Sequence, residues 1–146
     1  MKFSFLFGGG KFDVEIAPLA ESFRGRVSRY SDTEVILISD RAKDPSADIS
    51  KHIRTQDFVL LFDERGKEIT SEKYADLLDQ KIQSGAGRAV LIVGGAFGVS
   101  DAVRERADAT IAFSKMIFPH QLARIMVLEQ TYRALSILAG SKYHHG

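Results

Sequence analysis

Five short runs of aromatic, aliphatic and β-branched residues punctuate the chain: KFSFLFG at 2–8, TEVILIS at 33–39, DFVLLFD at 57–63, RAVLIVG at 88–94 and ATIAFS at 109–114. The stretches between them switch to helical spacing. They predict helices over 13–30, near 47–54, over about 70–83, a short one from Ser100 and a long one after Pro119, while RAKDPSAD at 41–48 reads as a polar loop. Nearly continuous apolar strands alternating with helices predict an α/β fold with a mainly parallel sheet flanked by helices on both faces. The punctuation agrees: Thr70 and Ser71, then Ser100 and Asp101, suit helix starts, and Gly85 suits a left-handed helix end. With 146 residues and no linker or repeat, a single domain over 1–146 is expected.

The last helix carries the sharpest pattern. At about 100° per residue, Ala123, Ile125, Val127, Leu128, Tyr132, Ala134, Leu135 and Leu138 form a wide arc that should face the core. Arg124 falls near the middle of that arc, where a guanidinium is costly unless it meets a carboxylate, carbonyls or a ligand. Leu122, Met126 and Ile137 form a second stripe, interrupted by Glu129 and Arg133, which are spaced to pair. A second copy of the chain or one wide core would each account for it.

Composition narrows the chemistry. The chain has no cysteine, which removes disulfides, thiolate metal sites and Cys nucleophiles and agrees with a reducing cytoplasm. Its apolar start is too short for a signal peptide or a membrane span. The formal charge is +1, with +3 over residues 111–146 and −2 over the first 110, so the last quarter is the basic end. Arg24, Arg26 and Arg29 read as a solvated helix face.

Motifs are sparse. FGGGK at 7–11 lacks the phosphate-loop spacing and reads as a turn. VGGAFGVS at 93–100 follows a buried strand and opens a helix, which fits either a ligand turn working through its backbone or a purely steric one. There is no H-E-x-x-H and no G-x-S-x-G, and His52, His120, His144 and His145 contain only one close pair, so neither a metal site nor a serine hydrolase is expected. The final SKYHHG could be a tag remnant, a metal pair or a working tail.

Read as a block, LIVGGAFGVSDAVRERADATIAFSKMIFPHQLARIMVLEQTYRALSILAGSKYH resembles the ribosomal RNA large-subunit methyltransferase H family of SPOUT methyltransferases. FSKMIFPHQLAR, EQTYRA and the terminal KYHH carry the likeness most specifically, and it extends more loosely to the first strand. The resemblance implies a C-terminal trefoil knot, where residue patterning alone gives a simple doubly wound sheet. It further implies a cytoplasmic homodimer, with no metal, that moves a methyl group from S-adenosylmethionine to the position-3 nitrogen of a pseudouridine in 23S rRNA of the assembled ribosome. By position it assigns the cofactor to Phe62, to Gly94, and to the wrapping loop Phe113, Ser114, Lys115, Met116, Ile117 and Phe118. Tyr143 and His144 are then expected at the substrate, supplied by the partner's tail, with His120 and Arg124 holding the loops, and SKYHHG becomes a native tail.

Four positions depart from the family pattern. Ala96 and Phe97 replace a small residue followed by a polar one, Phe62 is bulkier than the usual aliphatic, and His145 stands where a permanent cation is usual. Ala96, Phe97 and His145 are the support for an alternative, a ribosome-associated binding protein of the same fold without catalysis. A third reading is an unrelated nucleotide-binding domain that uses VGGAFG.

Overall fold

The computed structural model describes residues 1–41 and 44–146, so part of the loop expected at 41–48 lies outside the described residues. Strands β1 (Lys2–Gly8), β2 (Thr33–Ile38), β3 (Phe58–Glu68), β4 (Arg88–Val93) and β5 (Ala109–Ala112) form one sheet in the order β2-β1-β4-β3-β5, with every pairing parallel. Between and after them run α1 (Ala17–Ser28), α2 (Pro45–Ser50), α3 (Ser71–Gln83), α4 (Asp101–Arg106) and α5 (His120–Leu138).

Alternation along each strand sorts side chains into two cores. Phe3, Phe5, Phe7, Leu60 and Leu91 point to the face covered by α1, α3 and α5. Leu6, Val59, Leu61, Val90 and Ile92 point to the other, closed by Ile49 of α2 and Val103 of α4. Each fully buried Phe contributes roughly 1.5–3 kcal/mol, so β1 alone supplies a large share of the central packing.

Several element bounds differ from the sequence expectation. α1 begins four residues later than expected because Pro18 fits only the first turn, and Asp13 instead closes a turn through its carbonyl to the Ile16 and Ala17 amides. α2 starts earlier and ends earlier, since the Asp44 carboxylate caps the Ala47 amide and the chain turns after Ser50. β3 runs past Asp63 to Glu68 with a register shift between Phe62 and Lys67. Gly66 permits this crossing: a Cβ there would sit 2.7 Å from the Ile111 backbone.

Thr70 and Ser100 cap α3 and α4 as expected, and Gly85 is left-handed at φ +83°. Gly140 ends α5 in the same way, with the Ser141 amide returning to the Ser136 carbonyl. α5 lies against both α1 and α3 and buries Ile125, Val127, Leu128, Ala134 and Leu135. Ala123 and Tyr132 are half-buried, and Leu138 departs from the expected arc because the last turn runs out beyond the core and leaves it exposed. Of the second stripe, Ile137 packs against the core and Leu122 remains exposed.

Candidate functional site

The carboxyl ends of β3, β4 and β5 open onto one cavity of about 630 Å³, the place where open parallel sheets bind ligands. Three loops and the start of α5 build it. β3 delivers Phe62 and Asp63, β4 delivers the Gly94–Gly98 turn, and the segment from Phe113 to Pro119 closes over to His120 and Ala123.

The glycine turn is shaped by backbone approach. A Cβ on Gly94 would lie 2.7 Å from the Gly98 carbonyl carbon, and the Gly98 amide donates to the Gly95 carbonyl at 3.0 Å. The FGGG stretch wedges against the back of this turn, since a Cβ on Gly8 would come within 2.8 Å of the Gly95 nitrogen. FGGG is therefore a packed turn and not a phosphate cradle. The Gly9 and Gly10 amides are already spent on the Ile38 carbonyl.

Arg124 ties these parts together from below. It is 0% exposed, and its Nη2 donates to the Gly8 carbonyl at 2.5 Å. Its carbon Cζ sits 5.7 Å from the Phe7 ring centre and 5.1 Å from that of Phe12, while Nε and Nη1 have no hydrogen-bond partner. Of the partners expected for it, the structure supplies a carbonyl. Burial depresses the guanidinium to about 10, with Asp40 and Asp13 pulling the other way. His120 covers Gly9 beside it: a Cβ on Gly9 would lie 2.7 Å from the imidazole.

One wall of the cavity is aromatic. Phe62 and Phe113 stack at 5.4 Å with planes 20° apart, and Tyr74 meets Phe62 edge-on. Another wall is charged. Arg104 of α4 donates to Asp63 at 2.9 Å, and the Arg65 amide holds the other carboxylate oxygen. Burial pushes the Asp63 carboxyl up, but the Arg104 and Arg65 contacts outweigh it and hold the group below its ordinary range.

The structure thus gathers Phe62, Gly94, Phe113, Ser114, Met116, Ile117, Phe118 and His120 around one cavity. Lys115 is exposed on the same loop without lining it, and Arg124 lies beneath. Tyr143 and His144 are elsewhere. Tyr143 meets Tyr132 edge-on at 4.7 Å and donates to Glu129 at 3.1 Å, beneath the Arg133 guanidinium. His144 sits between Arg133 Nη1 at 3.1 Å and Glu72 Oε1 at 2.7 Å. The Arg133–Glu129 pair read from the helix spacing is present at 2.6 Å. Of the arginines on α1, Arg24 pairs with Glu21, whereas Arg26 leans over Phe23 and Tyr132 and so is not simply solvated.

Sequence reasoning did not single out Asp63, Arg65 or Arg104. Asp63 follows Phe62 at a strand end, which is a usable signal, but the partner that orients it is 41 residues away. Among the described residues no group of three or more His, Asp or Glu is placed to hold a metal ion, and no helix is long and apolar enough to cross a membrane.

A family model described as "Predicted SPOUT methyltransferase" matches residues 1–144. The "Ribosomal RNA large subunit methyltransferase H" of Caldicellulosiruptor saccharolyticus is 40% identical over 136 residues, covering 86% of this chain and 88% of its own length. Among solved structures, the tRNA (m1G37) methyltransferase of Aquifex aeolicus superposes with a TM-score of 0.60 at 15% identity, over 100% of this chain and 75% of that one. The SpoU methyltransferase AviRb of Streptomyces viridochromogenes, solved in complex with the cofactor AdoMet, gives 0.50 at 13% identity, over 89% of this chain and 56% of that one. The family model spans nearly the whole chain and the Caldicellulosiruptor relative is 40% identical over most of both lengths, so the chain belongs to the SPOUT methyltransferases and, within them, to the ribosomal RNA large-subunit methyltransferase H family.

Proposed function

We propose that this chain binds S-adenosylmethionine in the cavity at the ends of β3, β4 and β5. It transfers the methyl group to the position-3 nitrogen of a pseudouridine in 23S rRNA of the assembled ribosome. The observation that carries the reading is the convergence of Phe62, Gly94 and the Phe113–Phe118 loop on one cavity, because the resemblance assigns the cofactor to these residues. Their chemistry suits it. Phe62 and Phe113 offer an apolar wall to adenine, the glycine turn offers backbone polar groups, and about 630 Å³ falls in the range of cofactor-sized sites.

Bound there, S-adenosylmethionine would supply the methyl group on an activating sulfonium: the pyrimidine nitrogen, its proton passed to water, would take the methyl as the carbon–sulfur bond breaks and S-adenosylhomocysteine leaves. The sulfonium supplies the activation, so the chain's own task is alignment and charge management. Arg124 is too deeply buried to touch RNA and acts by fixing the Gly8–Gly9 turn and, through it, His120 and the glycine turn.

Tyr143 and His144 do not reach the cavity of their own chain, which agrees with a cytoplasmic homodimer in which each tail serves its partner's site. The C-terminal knot belongs to the same reading. Calorimetry with S-adenosylmethionine and methyl transfer to ribosomes lacking the modification, followed by nucleoside mass spectrometry, test it. Absence of binding at millimolar cofactor would overturn it, and binding without turnover would favour the non-catalytic alternative.

A further inference from the structure

Phe97 is 100% exposed at the tip of the Gly94–Gly98 turn, on the rim of the cavity. Its neighbours leave both faces of the ring clear, because Gly95 and Gly98 have no side chain and Ala96 is small and itself exposed. The ring nevertheless stands on a firm base. Gly95 is backed by Gly8 and Gly9, the Gly98 amide closes the turn, and Ser100 caps the helix that follows. Across the mouth, the loop from Phe113 presents Met116 and Ile117, which are 74% and 78% exposed.

We infer that Phe97 is a stacking platform for an unpaired base of the RNA substrate, holding the nucleotide beside the target at the cavity mouth. A ring free on both faces and fixed at its base is the geometry that base stacking needs, and it requires no complementary surface around it. The exposed apolar side chains Met116 and Ile117 face it from the opposite loop, whereas beside the ring in the chain stand glycines and Ala96, so a base has room to lie against the ring. Exposed Arg65 at the same mouth and exposed Lys115 on the facing loop supply positive charge for the phosphates of the strand, while of the exposed carboxylates Glu64 lines the mouth and Asp40 stands behind Gly95. Arg104 already neutralises Asp63.

This inference rests on the RNA methyltransferase reading, and its test separates the two. The chain has no tryptophan, so Phe97→Trp introduces a single reporter. Its emission should be quenched by a short single-stranded oligoribonucleotide at low salt and not by an abasic oligomer of equal length. In methyl transfer to ribosomes, Phe97→Ala should raise KM about tenfold, as expected for one lost stacking contact. Its kcat and its affinity for S-adenosylmethionine should stay within twofold, and Phe97→Tyr should restore KM. Equal quenching by the abasic oligomer, or an unchanged KM, overturns the inference. So does an emission shift that grows with protein concentration without RNA, which would mean that a second copy covers the ring. If the cofactor does not bind while base-dependent quenching persists, the proposed reaction fails and the RNA platform stands.

Discussion

Replacing Arg124 by methionine should cost little stability while removing function. Met keeps much of the length and removes the charge. The fall of the guanidinium from its ordinary value to about 10 corresponds to about 3 kcal/mol spent on keeping the cation in the fold at neutral pH. Against this stand one charge-assisted hydrogen bond to the Gly8 carbonyl, roughly 1.5–3 kcal/mol, and two ring contacts of about 1 kcal/mol each. The opposing terms nearly cancel, so Arg124→Met should change unfolding free energy by no more than about 2 kcal/mol. For a chain of 146 residues that is a shift of roughly 4–8 °C at most.

The sign with pH is also fixed. A cation whose folded value lies below its unfolded one destabilises the fold at neutral pH, and that cost fades as pH rises through about 10. The wild type should therefore gain on the variant between pH 9 and 11 in paired urea titrations, with little change below pH 9. Cofactor affinity should fall at least tenfold in the variant, because nothing then fixes the Gly8 carbonyl and, with it, the Gly9 turn against His120. A loss above about 4 kcal/mol, or a stability difference flat across that pH range, would refute the reasoning.

Three further outcomes follow from the same geometry. Gly94→Ala forces a methyl group to within 2.7 Å of the Gly98 backbone, so the turn must open and calorimetry should show cofactor affinity reduced tenfold or more. At the other end of the sheet, burial raises the Asp57 carboxyl but its hydrogen bonds from Arg88, at 3.0 and 2.5 Å, lower it further. That pair stabilises above the ordinary carboxylate range and is lost as pH falls through the lowered folded value, so Asp57→Asn should cost about 3 kcal/mol at pH 7 and show a shallower acid unfolding profile. Deleting residues 143–146 should leave cofactor affinity within twofold and abolish methyl transfer to ribosomes; unchanged turnover would remove the tail from the reaction.

Much of the fold was readable because each strand is a short apolar run and each helix start carries its own cap. β1 and the caps at Thr70 and Ser100 fall where local rules put them, since those rules involve neighbours in sequence. What escaped was set by contacts between distant segments. The extension of β3 to Glu68 depends on Gly66 meeting the Ile111 backbone, and nothing in DFVLLFD announces it. The burial of Arg124 was legible from helix spacing, yet its partner, a carbonyl 116 residues away, was not. The cavity proposed for the cofactor was reached through a family likeness, because a glycine turn reads the same whether it is steric or ligand-binding.

The tail shows where local reading stops and energetics takes over. Helix spacing supplied the Arg133–Glu129 pair, but not that Glu129 also accepts from Tyr143, or that Arg133 both covers the Tyr143 ring and meets His144. The tail rests on a pair that persists without it. Its remaining polar anchor, the contact between His144 and Glu72, lies at the surface, where such pairs contribute little. Release would also give up the edge of Tyr143 on Tyr132 and the Arg133 guanidinium over the Tyr143 ring. Residues 143–144 are thus held by a few side-chain contacts, while the helices beneath are packed on the core independently of them. On the proposed reading, such a tail serves a cavity on another copy of the chain without those helices having to move.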